Sequence, residues 1–336
     1  MKTAALILFG VAAMGSMWGC QSDAGSKDPL SQPPPSLDPD PPPPLVATPI
    51  DPNLQARARA ELVELAKSTD ANLRANTLAA MIDSLGTESQ PQFLAALDDP
   101  DPTARFVATI AAGRLKLGAA RDKLLALVGG GDESVKVGAI FALHRLGDHD
   151  FSHELEATAV SPITTVRADT AVVLGYLGEP SGATILTVLL SDRELSVQEQ
   201  AAQALWRLGS QQGLDVLSAK AISKYPDDQI FALDALAETG DDRVRGQVRG
   251  ELGCWPPEVQ LTAARAMGEL RSDAGYTLGI KYATAADDLQ RAMAAQALGA
   301  IGRPDSQTVL AKLLADRSPQ VKLAAAAAIV QLGHHK

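Results

Sequence analysis

The sequence has no surplus of basic residues. It contains 30 Lys and Arg against 40 Asp and Glu, which gives a formal net charge of −10 at pH 7. Two Lys and four Asp fall in residues 1–50, which leaves about −8 on the rest of the chain. General nucleic-acid binding requires a basic face. The acidic balance therefore argues against a nucleic-acid partner.

Motifs that carry chemistry are also missing. The sequence has no Gly-rich phosphate loop, no zinc-finger spacing and no nucleophile elbow. Residues 129–131 are three glycines before a predicted helix, whose N-terminus could in principle hold an anion. A flexible turn is the simpler interpretation. We therefore expect a protein that is not an enzyme and that carries no cofactor.

Histidines are few, and the only cluster lies between residues 144 and 153. His149 and His153 are four residues apart and could share a helix face, as metal ligands do, with Glu154 beside them. These residues span a predicted turn, and no other side chains complete a ligand set. They are weak metal candidates, and solvated turn histidines are the alternative.

No apolar run is long enough to cross a membrane. Residues 1–20 hold about 16 apolar or small residues after Lys2, whereas a spanning helix needs roughly 20. The segment fits a secretory signal peptide. Gly19-Cys20 resembles a lipoprotein lipobox, which implies cleavage before Cys20, acylation of its thiol and, in a diderm bacterium, an outer-membrane lipoprotein facing the periplasm. A plain secreted protein and an uncleaved anchor are the alternatives.

Residues 21–51 form a predicted linker. Ten of the 21 prolines lie between Pro29 and Pro49, and such a segment stays extended and hydrated. At about 3.1 Å per residue, thirty residues of polyproline helix would reach about 90 Å. A disordered spacer without a set reach is the alternative. If Cys20 is acylated, the lipid is the only membrane contact, and Cys254 is the one remaining thiol, which we expect to be buried.

One position recurs every 31 residues along the rest of the chain. The nine members of this marker column are long polar residues, six of them basic: Arg74, Arg105, Lys136, Arg167, Gln198, Gln229, Gln260, Arg291 and Lys322. A fixed period of roughly 20–50 residues indicates a repeat array.

Apolar columns keep the same register as the marker column. Residues three, six, seven and ten positions after each marker are mostly Ala, Leu or Ile, and these offsets share one face of a helix. Twelve positions before each marker runs a second apolar column, which indicates a first helix antiparallel to the other. We predict an all-α fold, an α-solenoid of about nine 31-residue helical hairpins over residues 52–336.

The stretch 166–178, V-R-x-x-x-A-x-x-L-G-x-L-G, resembles the short bacterial HEAT-like repeats, including those of phycobilisome lyases. The resemblance covers about residues 52–336 and implies the solenoid fold. It leaves function open. Export would separate a phycobilin lyase from its cytosolic pigment. Deoxyhypusine hydroxylases, which resemble this fold, hold two irons with several His-Glu pairs, whereas this chain has one, at residues 153–154.

The few aromatic residues suggest where a partner would bind. In a helical projection, the marker position and the positions one, five and eight residues further on border the concave side of the solenoid. The candidate partner-binding residues at these positions are Phe106, Phe141, Arg167, Trp206, Ile230 and Leu261. Aromatic anchors are enriched in interface hot spots, so we predict a groove centred on repeats five to eight. The alternative is that these side chains fill gaps for which Ala is too small.

Together these observations predict a non-catalytic scaffold at the bacterial cell envelope, which offers a concave surface to a protein partner of unknown identity. Two alternatives stay open. One is a HEAT-like lyase or metal-dependent hydroxylase, which a bound chromophore or metal would reveal. The other is a structural spacer without a specific partner.

Overall fold

The computed structural model describes residues 43–44 and 49–334. The predicted signal peptide, the lipidation candidate Cys20 and most of the predicted linker lie outside this part of the chain. The described residues fall into two compact units. One contains residues 60–217, and the other contains residues 218–334 together with 43–44 and 49–59.

Eighteen α-helices follow one another in the described residues, and consecutive helices pair into nine hairpins. Their bounds are α1 Pro52–Leu65, α2 Ala71–Ser84, α3 Gln90–Ala96, α4 Pro102–Arg114, α5 Arg121–Val128, α6 Glu133–Arg145, α7 Glu154–Thr158, α8 Thr164–Leu177, α9 Gly182–Leu189, α10 Leu195–Arg207, α11 Gln211–Ala221, α12 Pro226–Glu238, α13 Arg245–Gly250, α14 Pro257–Glu269, α15 Tyr276–Tyr282, α16 Asp288–Ile301, α17 Gln307–Leu313 and α18 Pro319–Leu332. This architecture confirms the predicted all-α solenoid of nine helical hairpins.

Second helices of successive hairpins pack side by side in each unit. In residues 60–217 the neighbours are α2 with α4, α4 with α6, α6 with α8, and α8 with α10. In residues 218–334 they are α12 with α14, α14 with α16, and α16 with α18. First helices pack on their own partners, as α5 does on α6 and α17 on α18. Each second helix inside a unit is therefore covered on several sides.

Small residues allow this close packing. The column six residues after the marker is buried from Ala111 to Ala328, and it is Ala in every repeat from the second onward except for Val173. Glycines add closer approaches still, because a Cβ at Gly268 of α14 would lie 2.5 Å from the backbone nitrogen of Ile301. At Gly178 and Gly302, which end α8 and α16, φ is 72° and 74°, a left-handed conformation that glycine adopts without strain.

Gly268→Ala is expected to lower the free energy of unfolding by about 2 kcal/mol, because the new methyl group forces α14 away from the backbone at the end of α16. Gly246→Ala is the matched control. No atom lies within 4 Å of a Cβ at Gly246, which is in helix α13, so this change is expected to raise stability by about 0.5 kcal/mol. Urea unfolding followed by circular dichroism measures both. Equal effects would contradict the packing described here.

Candidate interaction surface

Three arginines of the marker column form a ladder of ion pairs between neighbouring repeats. Arg167 is buried, and its guanidinium donates from Nε to Asp192 Oδ2 at 2.7 Å and from Nη2 to Oδ1 at 2.9 Å. A third bond, from Nη1 to the Ser161 carbonyl, lies within its own hairpin turn. Asp192 belongs to the turn of the next hairpin, so Arg167 joins the turns of two neighbouring repeats.

Two other arginines of the marker column make the same pair of bonds to an aspartate 25 residues further along the chain. Arg74 makes the paired bonds to Asp99, and Arg291 makes them to Asp316. These hydrogen bonds hold the pKa of each aspartate below its ordinary value and raise the pKa of each arginine. The hydrogen bonds of Arg167 described above are all to other residues of this chain, and its role in partner binding stays a prediction.

Two predicted aromatic anchors are packed between repeats. Phe141 of α6 is buried against α4, where a Cβ at Gly113 would lie 2.5 Å from its ring. Phe106 of α4 is also buried, and a Cβ at Gly138 of α6 would lie 3.1 Å from its ring. Each ring thus occupies space that a glycine of the neighbouring second helix leaves open.

The remaining predicted anchors give a similar result. Trp206 is 2 % exposed and Leu261 is fully buried, whereas Ile230 is half-buried. The predicted exposure of Phe106, Phe141, Trp206 and Leu261 is therefore wrong, since neighbouring second helices cover the flanks that a single-helix projection leaves open. Their placement matches the gap-filling alternative. A role of any of them in partner binding stays a prediction.

The three weak metal candidates each contact a different neighbouring residue. His149 lies with its Nδ1 3.1 Å from Nδ1 of His144, His153 Nδ1 contacts the Asp150 carbonyl oxygen at 3.0 Å, and Glu154 pairs with Lys136. No group of three or more His, Cys, Asp or Glu side chains in the described residues could hold a metal ion. Cys254 is half-buried rather than buried.

Burial raises the pKa of two carboxyl groups, and one of them, Asp234 on α12, is paired with Arg265. Burial raises the pKa of Asp169 on α8 to about 7, against the opposing effect of a hydrogen bond with Ser134. A shifted acid is a functional-site signal only when reactive groups converge on it. The neighbours that affect this pKa are Ser134 and Asp132, which together form neither a nucleophile–base pair nor a metal site.

Helix caps reveal a second pattern at the turns between first and second helices. In the first three hairpins and the eighth, an aspartate side chain accepts hydrogen bonds from the first backbone N–H groups of the second helix: Asp70, Asp101, Asp132 and Asp287. In hairpins four to seven the capping positions hold Ile163, Glu194, Tyr225 and Pro256, without a side-chain cap bond. An aspartate cap stabilises a helix by about 1 kcal/mol, so these hairpins lack a common source of stability.

Exposed apolar side chains occupy these same turns. Eight large apolar residues of the described chain are exposed, and all but Val188 lie in such a turn or in the first helical residues after it. In residues 60–217 they are Val160, Ile163 and Leu195. In residues 218–334 they are Ile222, Tyr225, Trp255 and Leu289.

The turns of hairpins six and seven carry the largest of these side chains. Ile222 is 69 % exposed, Tyr225 58 % and Trp255 67 %. We name these three residues the apolar turn edge. Ile222 and Tyr225 share one turn, and Trp255 lies in the equivalent turn of the next hairpin. Contiguous exposed apolar residues mark interaction sites, and aromatic residues are enriched at interface hot spots.

The ladder is interrupted in hairpins five to seven, and it also lacks its aspartate after Arg105 and Lys136, where Gly130 and Ser161 stand. Gln198, Gln229 and Gln260 replace arginine, and the residues 25 positions further on are Ser223, Cys254 and Ala285 instead of aspartate. This paired loss was readable in the sequence as a correlation between two columns of the repeat. The turn positions keep the 31-residue register, since Val160 and Ile163 lie 62 residues before Ile222 and Tyr225. They lie outside or at the ends of the helices, which explains why a helical projection missed them.

Within residues 43–44 and 49–334, no helix combines the length and the apolarity that a membrane span requires.

The comparison with known families and structures gives one sequence match and several matches of fold. Residues 247–330 match the family described as HEAT repeats. No curated protein shows a significant sequence match to the chain. One similar structure is that of the complex of CpcE and CpcF of phycocyanin lyase from Nostoc sp. PCC7120, with 18% identity, a TM-score of 0.41, and coverage of 70% of this chain and 97% of that one.

Two further structures have comparable scores. Human deoxyhypusine hydroxylase in complex with glycerol shows 18% identity and a TM-score of 0.37 over 84% of this chain and 98% of its own. Kap121p bound to Nup53p shows 16% identity and a TM-score of 0.37 over 82% of this chain and 37% of its own. The match over residues 247–330, together with the nine helical hairpins, supports a HEAT-like repeat protein.

Proposed function

We propose that this protein is a non-catalytic scaffold that binds another protein through its apolar turn edge. The observation that carries the proposal is the combination found at hairpins six and seven. Their turns lack the aspartate cap and the aspartate of the ladder, and they place Ile222, Tyr225 and Trp255 in solvent. Exposed apolar residues and missing helix caps reduce stability. Proteins accept such features at functional sites, and we expect them here because the residues contact a partner.

The chemistry of the edge favours a protein ligand. Two aromatic rings and an aliphatic side chain at solvent-exposed turns offer apolar area, with Lys224 Nζ 4.9 Å from the centre of the Tyr225 ring. Aromatic residues suit the centre of a protein interface. The acidic net charge argues against a nucleic acid. A HEAT-like repeat array supplies a rigid support for such a surface.

The proposed place of action is the bacterial cell envelope. It rests on the signal-like residues 1–20 and on Cys20, which precede the repeats. Incorporation of radiolabelled palmitate tests the anchor, and Cys20→Ala is the control. Loss of label in Cys20→Ala supports a lipoprotein, whereas an unlabelled wild type contradicts it.

Tyr225→Asp separates binding from folding. Aspartate at this capping position can accept a bond from the first turn of α12, so the free energy of unfolding is expected to stay level or rise by up to about 1 kcal/mol. A tagged full-length chain captures partners from detergent-solubilised envelopes, and the affinity of the purified partner is then measured. We expect the variant to bind at least ten times more weakly than the wild type.

Tyr225→Phe is the matched control, because it keeps the ring and should keep the affinity. A partner held equally by wild type and Tyr225→Asp would contradict the apolar turn edge as the binding surface. The absence of any saturable partner would favour the spacer. A metal or chromophore that copurifies in stoichiometric amount would favour the enzymatic alternative.

A further inference from the structure

Arg303 is a buried and extensively bonded side chain of residues 218–334. It lies between α16 and α17 and is 4 % exposed. Its Nε and Nη2 donate to the two carboxylate oxygens of Asp305 at 3.1 and 2.7 Å, and Nη1 donates to Asp273 Oδ2 at 3.2 Å. Its guanidinium carbon lies 4.2 Å from the centre of the Tyr276 ring. The arginine is thus held on one face by an aromatic ring and at its edge by two carboxylates.

Two donors of the same guanidinium point at the Pro-rich segment that precedes the repeats. Nη1 donates to the Pro43 carbonyl at 2.7 Å, and Nη2 donates to the Pro44 carbonyl at 3.0 Å. A guanidinium has five N–H donors. With these two bonds, all five donors of Arg303 have a hydrogen-bond acceptor. The pKa of Asp305 is held below its ordinary value by Arg303, so the pair stays charged at neutral pH.

Gln307 binds the same segment a few residues further along. Its Nε2 donates to the Pro49 carbonyl at 2.9 Å, and its Oε1 accepts from the Asp51 backbone N–H at 3.0 Å. The three prolines contacted at this site offer only carbonyl oxygens, because proline has no backbone N–H. Donors from Arg303 and Gln307 therefore match what a proline-rich backbone can accept.

This arrangement is specific to the eighth and ninth hairpins. At the positions equivalent to Arg303, the five preceding repeats have Ser272, Asp241, Ser210, Glu179 and Asp148. An arginine here is therefore a local addition and not part of the repeat consensus. The docked segment continues into α1, and a Cβ at Gly333 would overlap the side-chain amide of Gln55. Residues of the N-terminal segment thus contact this unit at several places.

We propose that Arg303, Tyr276 and Gln307 form a binding site for extended proline-rich chain, and that residues 43–44 and 49–51 of the same molecule occupy it. Polyproline segments are extended before binding and lose little entropy when they bind. Occupation by the chain's own segment fixes where the linker leaves the repeats. It also keeps other proline-rich chains out, because a tethered segment competes at an effective concentration of about 1 mM. This proposal is independent of the apolar turn edge.

The test uses the full chain with residues 41–50 replaced by an equal length of Gly and Ser, which changes no repeat residue. A flexible Gly/Ser segment must lose far more entropy than a polyproline segment to place its carbonyls in the site, so we expect it to occupy the site much less. The probe is a fluorescent peptide of residues 38–52, DPDPPPPLVATPIDP, followed by fluorescence anisotropy. We expect saturable binding to the linker-replaced chain and binding at least ten times weaker to the wild type. Equal binding to both chains would overturn occupation by the chain's own segment. No binding to either would overturn the site.

Site variants are made in the linker-replaced chain. Arg303→Lys keeps the charge but loses the planar set of donors, and we expect at least a tenfold loss of affinity for the peptide. Gln307→Glu removes the donor to the Pro49 carbonyl and should weaken binding severalfold, which provides an independent result if Arg303→Lys fails to fold. Arg317→Lys, at an exposed position of the same unit, is the matched control. Unchanged affinity in both site variants would contradict the assignment.

Discussion

Trp206→Ala is expected to lower the free energy of unfolding by about 3–5 kcal/mol, because it empties the space of a large side chain that is 2 % exposed. The chain offers a matched control of the same residue type. Trp255 is 67 % exposed, and Trp255→Ala should change stability by less than about 0.5 kcal/mol. Equilibrium unfolding in urea, followed by circular dichroism, measures both.

For partner affinity we expect the reverse: Trp255→Ala should have the larger effect and Trp206→Ala the smaller one. Trp255→Ala removes part of the apolar turn edge, and it should reduce the affinity of the envelope partner without loss of fold. Trp206→Ala should affect binding only through the folded fraction. A Trp206→Ala variant that stays fully stable and loses the partner would restore Trp206 as a contact residue and contradict the assignment made here.

Asp192→Ala is expected to lower the free energy of unfolding by about 3 kcal/mol at pH 7, because it leaves the buried guanidinium of Arg167 without its carboxylate. The exposed turn residue Asp150 supplies the control, and Asp150→Ala should cost less than about 0.5 kcal/mol. Thermal unfolding of the two variants beside wild type gives the comparison.

The effect of Asp192→Ala should depend on pH in one direction. The bond with Arg167 lowers the pKa of Asp192 below its ordinary value of 3.8, so the folded state favours the ionised form. The stabilising contribution is therefore complete above about pH 5 and disappears as the pH falls through the lowered pKa. A difference between variant and wild type that grew on acidification would contradict the ion pair as its source.

The nine hairpins were predictable from the sequence because their signal is periodic. A 31-residue step fixes the register of both helices, and residues such as Gly178 and Gly302 end helices in the conformation that favours glycine. Only one side of the arginine–aspartate ladder was predictable from the sequence. The arginine column stands out, whereas its aspartates become apparent only when a second column 25 residues further on is read together with the first.

Exposure was harder to predict than fold, for a physical reason. A helical projection considers one helix, whereas α4 packs against α2, α3 and α6. Phe106 of α4 is covered by α6 of the following hairpin, and Phe141 of α6 is covered by α4 of the preceding one. A contact that occurs only once in the chain leaves no periodic signal in the sequence. The hydrogen bonds of Arg303 to the Pro43 and Pro44 carbonyls are such a contact.

The ladder also limits how such an array can grow. Arg167 needs an aspartate in the hairpin that follows it, and Arg74 and Arg291 have the same requirement. A tandem copy of the fourth hairpin would place Ser161 instead of Asp192 opposite the first Arg167. Duplication by single repeats would thus create a mismatched junction, whereas duplication of hairpins four and five together would keep that pair intact. The segment that carries this ion pair whole is therefore two hairpins long, not one 31-residue repeat.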